Sequence, residues 1–489
     1  MSAVRNLEPK VVWNHFEDLN AVPRPSKKEE RVVKFMMDFG NSLGLETVCD
    51  DCVAPGLGNV VIKKPATTGM EDRPTVVLQS HLDMVHQKNN DTDFDFLTQG
   101  IQSYIDGEWV KAQGTTLGAD NGMGAAAAMA VLSSNDIKHP AIEALFTIDE
   151  ETGMTGAIKL NNDILGIKGD IMLNLDTEDD DELCIGCAGG IDTNVSWNYD
   201  QAEAAGTGIK LTVKGLVGGH SGMDIILQRG NANKIMNRLL YKSRELFGVK
   251  VGGVDGGGLR NAIPRESTAT LAVHKPSEFT AHVNKMAEEI KAEFHSTDPD
   301  LTISLEHCDL PNKVMSNNAQ DALINAIYAL PQGVYRMHPE VSGLVETSNS
   351  LARVIVKDGE FKSQCLTRSS TESAKMDLAN AIRSSFEMIG ATVQQGGDYP
   401  GWEPLPNAPI LKTMNGLYTN MFNEDANVLA CHAGLECGIL GTHFPGMHMI
   451  SFGPTIKGPH SPDEKVKIDS VAKFWKFLLN TLEHIPHMN

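Results

Sequence analysis

Four apolar runs of strand length each end in residues that bind metals, and this recurrence restricts the fold more than any other feature of the chain. The runs are Thr75–Gln79 (TVVLQ), Ile142–Ile148 (IEALFTI), Asp170–Leu175 (DIMLNL) and Met447–Phe452 (MHMISF). Each is short and rich in large apolar side chains, as a strand buried on both faces must be. The first runs into Ser80-His81-Leu82-Asp83 and the second into Asp149-Glu150-Glu151. The third runs into Asp176-Thr177-Glu178, and the fourth into a loop holding His460-Ser461-Pro462-Asp463-Glu464. Gly122–Leu132 (GMGAAAAMAVL) reads as a buried helix whose alanines allow close packing. Strands alternating with helices predict an α/β sheet with parallel members. In such a sheet ligands bind outside the carboxyl ends of the strands. The four polar sets therefore converge on one edge, and Asp120, in LGADNG just before the alanine helix, joins them.

The donor set fits two zinc ions. Imidazole and carboxylate are ordinary zinc ligands, and two metals about 3.5–4 Å apart need a bridging group. His81 and His460 can give one nitrogen to each metal, Asp176 and one of Glu150/Glu151 a terminal carboxylate to each, and Asp120 can bridge. Glu150 and Glu151 are adjacent, so in an extended chain they point opposite ways. One can bind metal while the other acts as a base, and residue chemistry alone leaves open which is which. Asp83, two residues after His81, can orient its ring. Taken singly, these residues have plainer readings. His-x-Asp is a common hydrogen-bonded pair, and an aspartate before a helix is a common cap. Their joint placement after strands carries the metal reading.

The 489 residues call for more than one domain. A net charge of −21, from 42 basic and 63 acidic residues, argues against nucleic acid or an anionic membrane as partner. No apolar run approaches the ~20 residues that span a bilayer. The N-terminus has no secretory pattern, so a cytoplasmic location is expected. The CxxC pairs Cys49/Cys52 and Cys184/Cys187 lie over 130 residues apart, against the ~15–20 of a zinc ribbon. They read as reduced thiols.

Residues 11–44 read as helix interrupted at Pro23 and Pro25, ending at Gly44. From 188 to 398 the pattern changes to short alternating strands and amphipathic helices. IKLTVKGL (Ile209–Leu216) and STATLAVH (Ser267–His274) read as half-exposed strands, and Phe279–Phe294 as a helix. LTISLEH (Leu301–His307) and ARVIVKDG (Ala352–Gly359) read as strands of a second, similar layer, and Gly252–Gly258 (GGVDGGG) as a loop. The domains expected are thus 1–187 and 399–489 for the catalytic unit and 188–398 for an insertion.

The segments SHLDMV, LGADNG, FTIDEETG, NLDTE and GPHSPDE, with AVPRPSKKEE and CHAGLECG, resemble those of the M20 family of dizinc aminoacyl exopeptidases. The resemblance runs over essentially the whole chain and is nearest to the family's aminoacyl-histidine dipeptidase branch. It implies a catalytic domain with a mixed, largely parallel sheet flanked by helices, plus an inserted α+β lid. It also implies a small peptide substrate of the Xaa-His type and two zinc ions, with cobalt or manganese suiting similar ligands. Glu150 then resembles the general base and Glu151 a metal ligand alongside His81, Asp120, Asp176 and His460, while Asp83 matches the residue orienting His81. In the insertion, His220 of VGGHSG resembles the histidine that stabilises the oxyanion, and Asn261 and Arg368 resemble residues that hold substrate. Family members also dimerise through the lid, so a homodimer is an expectation. Related readings are an M20-type tripeptidase or N-acyl amino acid deacylase and, in another class, a noncatalytic metal-binding protein. His432 stands between a place at the substrate site and a structural role.

Overall fold

The computed structural model describes residues 3–487. The chain divides into two compact units. The first comprises Met1–Gly186, Pro404–Ala430 and Glu436–Asn489; the second comprises Cys187–Glu403 and Cys431–Leu435.

The first unit is built on an eight-stranded sheet. Its order is Glu46–Cys49, Val60–Lys64, Ile142–Thr147, Val76–His81, Ile171–Asn174, His448–Ser451, Glu182–Cys187 and Asn427–Cys431. The four central strands are the four apolar runs, and they are parallel to one another. The pairings toward Glu46–Cys49, and that of His448–Ser451 with Glu182–Cys187, are antiparallel, so the sheet has a parallel centre and antiparallel flanks. In register His81 sits opposite Thr147, Gln79 opposite Asn174, and Asn174 opposite Ser451. The strand ends therefore align, and the chain leaves all four at one edge.

The alanine helix runs Ala119–Ser133, and Ala125–Leu132 are all buried. It packs against the helix Lys10–Asn20 and the strand Val76–His81. Small side chains let backbone approach backbone there. The expected helix over 11–44 is two helices, Lys10–Asn20 and Glu30–Ser42, and Gly44 is left-handed (φ 70°). His460 does not follow directly from the strand His448–Ser451. A hairpin of Ile456–Lys457 against Lys465–Lys467 intervenes, within a small four-stranded sheet, and its loop presents His460.

The second unit holds one continuous nine-stranded sheet rather than two layers. Thr302–His307 pairs with Thr207–Lys214 at one side, and Val345–Lys357 lies further along the same sheet, paired antiparallel on both sides. Helices Ala232–Phe247, Pro276–Phe294, Asn317–Ala329 and Glu372–Glu387 contribute to its core with Leu211, Leu271 and Phe361. The expected Gly252–Gly258 loop is instead part of the strand Lys250–Gly257, between Ser267–Val273 and Val345–Lys357. Its glycines serve packing. A Cβ at Gly256 would strike the Asn233 and Ser267 side chains. A glycine run in a strand can mark such close approach as readily as it marks a loop.

Candidate metal centre

The central strands deliver two clusters of ligand-type atoms that share one residue. His81, Asp120 and Asp176 form one; Asp120, Glu151 and His460 form the other, each with its donor atoms within 4.8 Å of one another. His81 Nε2 lies 3.0 Å from Asp120 Oδ1 and 3.6 Å from Asp176 Oδ1. His460 Nε2 lies 3.2 Å from Asp120 Oδ2 and 2.9 Å from Glu151 Oε2. Asp120 thus turns one carboxylate oxygen to each cluster. Ligand atoms ~2.0–2.1 Å from a tetrahedral zinc stand roughly 3.3 Å apart. The donor set and its spacings therefore fit two such ions.

Local backbone explains the placement. Asp120 and Asn121 are non-helical within the first turn of the alanine helix, with Asp120 at φ −81°, ψ 113°. The residue at the N-cap position is Gly118, which has no side chain to cap with. Asp120 is therefore not the helix cap that its position invites; its carboxylate faces the two imidazoles. Glu150 and Glu151 are not extended either. Asp149 is left-handed (φ 54°) and a single helical turn, Glu150–Gly153, follows it. Asp83 fastens this turn: its Oδ1 accepts the Glu150 N–H at 3.0 Å and its Oδ2 the Glu151 N–H at 3.4 Å. His81 Nδ1 lies 3.2 Å from the Asp83 main-chain oxygen and 3.5 Å from its Oδ1. Asp83 is completely buried, so one carboxylate orients both the imidazole and the Glu150-Glu151 pair.

A buried polar layer one pleat beneath the ligands was not legible in the sequence. Gln79 and Asn174 each stand two residues before a ligand-type residue, on the same face. Asn174 donates to the Gln79 side-chain oxygen and accepts from Ser451 Oγ. Gln79 donates to Glu436 Oε2 at 2.7 Å, and Thr147 Oγ1 donates to the same oxygen at 2.9 Å. Polar residues inside otherwise apolar strands were the signal for this layer. Glu436, from a distant helix, had none.

Charges at the centre are strongly perturbed. Burial pushes Glu150 up to about 8, with Glu436, Glu151 and Asp120 adding to the shift and His81 opposing it. Burial also drives Glu436 and Glu464 up to about 7. Hydrogen bonds to Asp120 and Glu151 raise His460 to about 11. His81 is raised despite burial because Asp176, Asp120 and Asp83 surround it. These carboxyls, ordinarily near 4.5, and these imidazoles, ordinarily near 6.5, hold more protons in the folded chain than in the unfolded one. Their stabilisation is complete below those ordinary values and is lost as pH rises through the folded ones. The metal-free protein is accordingly expected to melt at a lower temperature at pH 8 than at pH 5. A bound metal, which displaces these protons, should add more stability at the higher pH. Melting curves in chelator and in zinc at the two pH values check this; a metal-free melting temperature that rises toward pH 8 contradicts it.

The remaining predicted residues lie in the second unit, and the structure brings His220 and Arg368 together. His220 stands on a two-residue strand paired with Ala262–Ile263, and the Asn261 main-chain oxygen accepts from Ser221 N at 2.8 Å. The Asn261 residue itself is exposed. His220 Nδ1 accepts from the Gly222 and Met223 N–H groups at 3.2 and 3.0 Å. The ring proton is thereby fixed on Nε2. Burial and Arg368 lower the pKa of His220, which keeps it neutral. Arg368 is buried rather than a surface arginine. Its Nη1 donates to Tyr399 Oη at 2.8 Å, and its Nη2 lies 3.5 Å from His220 Nε2. Two donors face each other there, which is the arrangement for a shared anionic oxygen. Tyr399 went unnoticed in the sequence. His432 is buried with Nε2 2.8 Å from Ser348 Oγ, and burial, with Arg368, drives it down to about 3. Cys49, Cys52, Cys308 and Cys365 form no disulfide. Among the described residues no helix is long and apolar enough to cross a membrane.

A family model described as peptidase family M20/M25/M40 matches residues 77–484. The chain is 42% identical over 491 aligned positions to the cytosol non-specific dipeptidase of Escherichia coli (strain K12), covering 99% of this chain and 100% of that protein. The crystal structure of aminoacylhistidine dipeptidase from Vibrio alginolyticus superposes with a TM-score of 0.95 at 42% identity, covering 100% of this chain and 99% of that one. Aminopeptidase PepT from Bacillus cereus shares the fold, with a TM-score of 0.57 at 16% identity over 98% of this chain and 99% of its own.

Proposed function

The chain belongs to peptidase family M20/M25/M40, and on that premise we propose that it is a two-metal dipeptidase that hydrolyses Xaa-His and other unspecific dipeptides. The observation that carries this reading is the single carboxylate, Asp120, shared by two ligand clusters. His81 and Asp176 would hold one metal, Glu151 and His460 the other, and Asp120 both. Zinc is the natural occupant of such a set, with cobalt or manganese as substitutes. Bound there, two metals would supply a water of pKa lowered toward ~7 and a Lewis acid for a carbonyl oxygen.

The chain's own residues supply the rest. Asp83 keeps the His81 ring in place and fixes the Glu150 main chain. Glu150 takes a proton from the attacking water as its oxygen bonds to the peptide carbonyl carbon. As the carbon–nitrogen bond breaks, Glu150 returns that proton to the leaving amine. On the family pattern, His220 is assigned to the developing oxyanion and the Arg368 guanidinium to the terminal carboxylate of a dipeptide. Asn261 is assigned to substrate holding on the family pattern. The name of the Escherichia coli relative supports a cytoplasmic location.

A substrate panel on protein of measured metal content tests the reading. Xaa-His and other dipeptides should be cleaved with kcat/KM at least about tenfold above tripeptides and N-acyl amino acids, a margin within what pocket contacts supply. Preference for a tripeptide or an acylated amino acid would overturn the dipeptidase assignment and leave the metal site standing.

A further inference from the structure

We propose that Arg24 and Glu464 form a buried brace that positions the Asp120 carboxylate between the two metal sites. This inference rests on the two-metal reading above and concerns two residues that take no part in it. Both are only 2% exposed. Glu464 spends its whole carboxylate on one tetrapeptide. Its Oε2 accepts the Leu117 and Gly118 N–H groups at 2.7 and 3.0 Å, and its Oε1 accepts those of Ala119 and Asp120 at 2.7 and 3.3 Å. Four successive N–H groups around one anion form a nest, and here the nest ends on the bridging residue itself.

Arg24 holds the same tetrapeptide through the opposite end of a peptide unit. Its Nη2 donates to the Gly118 oxygen at 2.6 Å, while its Nη1 donates to the Leu82 and Asp83 oxygens at 3.0 and 3.1 Å. One planar fork therefore ties the loop after His81 to the loop before Asp120. The main chain around Arg24 is itself in register with that first loop. Met84 N donates to the Arg24 oxygen at 3.1 Å, and Ser26 N to the Met84 oxygen at 3.2 Å. The space for the guanidinium is closely cut. Gly118 is left-handed (φ 70°), and a Cβ there would stand 2.5 Å from Arg24 Nη2; a Cβ at Gly122 would stand 2.6 Å from it. Glu464 lies four residues after His460, so the brace connects the loops that carry His81, Asp120 and His460. A buried guanidinium and a buried carboxylate are costly ways to fill space, and apolar residues would do so more cheaply. Both groups are directed at main-chain atoms flanking the ligands, which is what positioning requires.

The test compares the wild-type protein with Glu464→Gln, Arg24→Met and Arg24→Lys. Zinc affinity is read by chelator competition, and site geometry by the visible spectrum of the cobalt-substituted protein. Glu464→Gln keeps size but turns an amide donor toward main-chain N–H groups. It should weaken metal binding about 10–100-fold, the range for residues that orient metal ligands, and shift the cobalt bands. Arg24→Met should do the same. Arg24→Lys, which keeps charge but loses the fork, should fall between it and wild type. The double variant Arg24→Lys/Glu464→Gln should lose less than the product of the two single losses, because both act on one loop. If Arg24→Met does not fold, the near-isosteric Glu464→Gln and the charge-conserving Arg24→Lys decide the matter. Folded variants with wild-type zinc affinity and an unchanged cobalt spectrum overturn the brace while the two-metal reading stands. A wild-type protein that fails to bind two metals overturns that reading and the brace with it.

Discussion

Replacing Glu150 with glutamine is expected to leave metal bound and to reduce turnover by two or more orders of magnitude, roughly the range for losing acid–base catalysis. The substitution is close to isosteric, and the main chain at this position is held independently of the side chain. The Glu150 N–H donates to Asp83 Oδ1 at 3.0 Å, and the left-handed Asp149 starts the turn. The neighbouring Glu151 carboxylate, 2.9 Å from His460 Nε2, should therefore stay where it is. What disappears is the proton acceptor. Burial has already pushed the Glu150 carboxyl up to about 8 in the metal-free protein. The loss should appear in kcat, with KM nearly unchanged. Near-normal turnover, or loss of metal in the variant, would sink the base assignment.

Asp120→Asn should have the larger effect on metal. An amide has one good acceptor atom where the carboxylate has two, and here the two oxygens lie 3.0 Å from His81 Nε2 and 3.2 Å from His460 Nε2. The variant must turn an NH2 group toward one cluster and lose the negative charge in both. Zinc affinity should fall more than about 100-fold, beyond the ~10–100-fold typical of residues one step removed from a metal, and peptide hydrolysis should fall with it. Asp176→Asn is the informative comparison, because Asp176 belongs to one cluster only. It should weaken one metal and largely spare the other. Equal effects of the two variants on both metals would contradict the sharing of Asp120.

Much of this site was legible in the sequence because strand ends carry direction. Once four apolar runs are read as parallel strands, His81, Glu150, Glu151 and Asp176 must leave the sheet at one edge, and Asp120 precedes the helix that packs on it; the hairpin that presents His460 left no such mark. The conformations around those residues were not legible. A Glu-Glu pair reads as extended chain until the left-handed Asp149 turns it into a helical turn. Asp120 reads as a cap until its non-helical φ and ψ swing the carboxylate outward. The second unit failed for a different reason. Strands paired only through non-local contacts leave no local mark of which sheet they join, so Thr302–His307 and Val345–Lys357 looked like a separate layer. The Gly252–Gly258 run looked like a loop because glycine marks both turns and tightly packed strands. Buried polar groups such as Gln79, Asn174 and Glu436 acquire meaning only from partners distant in sequence.

The most direct test counts metal. Metal-free wild-type protein is titrated with zinc while bound zinc and dipeptide hydrolysis are followed together, with Asp120→Asn in parallel. Two zinc ions per wild-type chain, hydrolysis that chelator abolishes and zinc restores, and a variant unable to hold the pair are the expected result. A wild-type chain that saturates at one zinc or none, or that cleaves dipeptides fully in chelator, would contradict it.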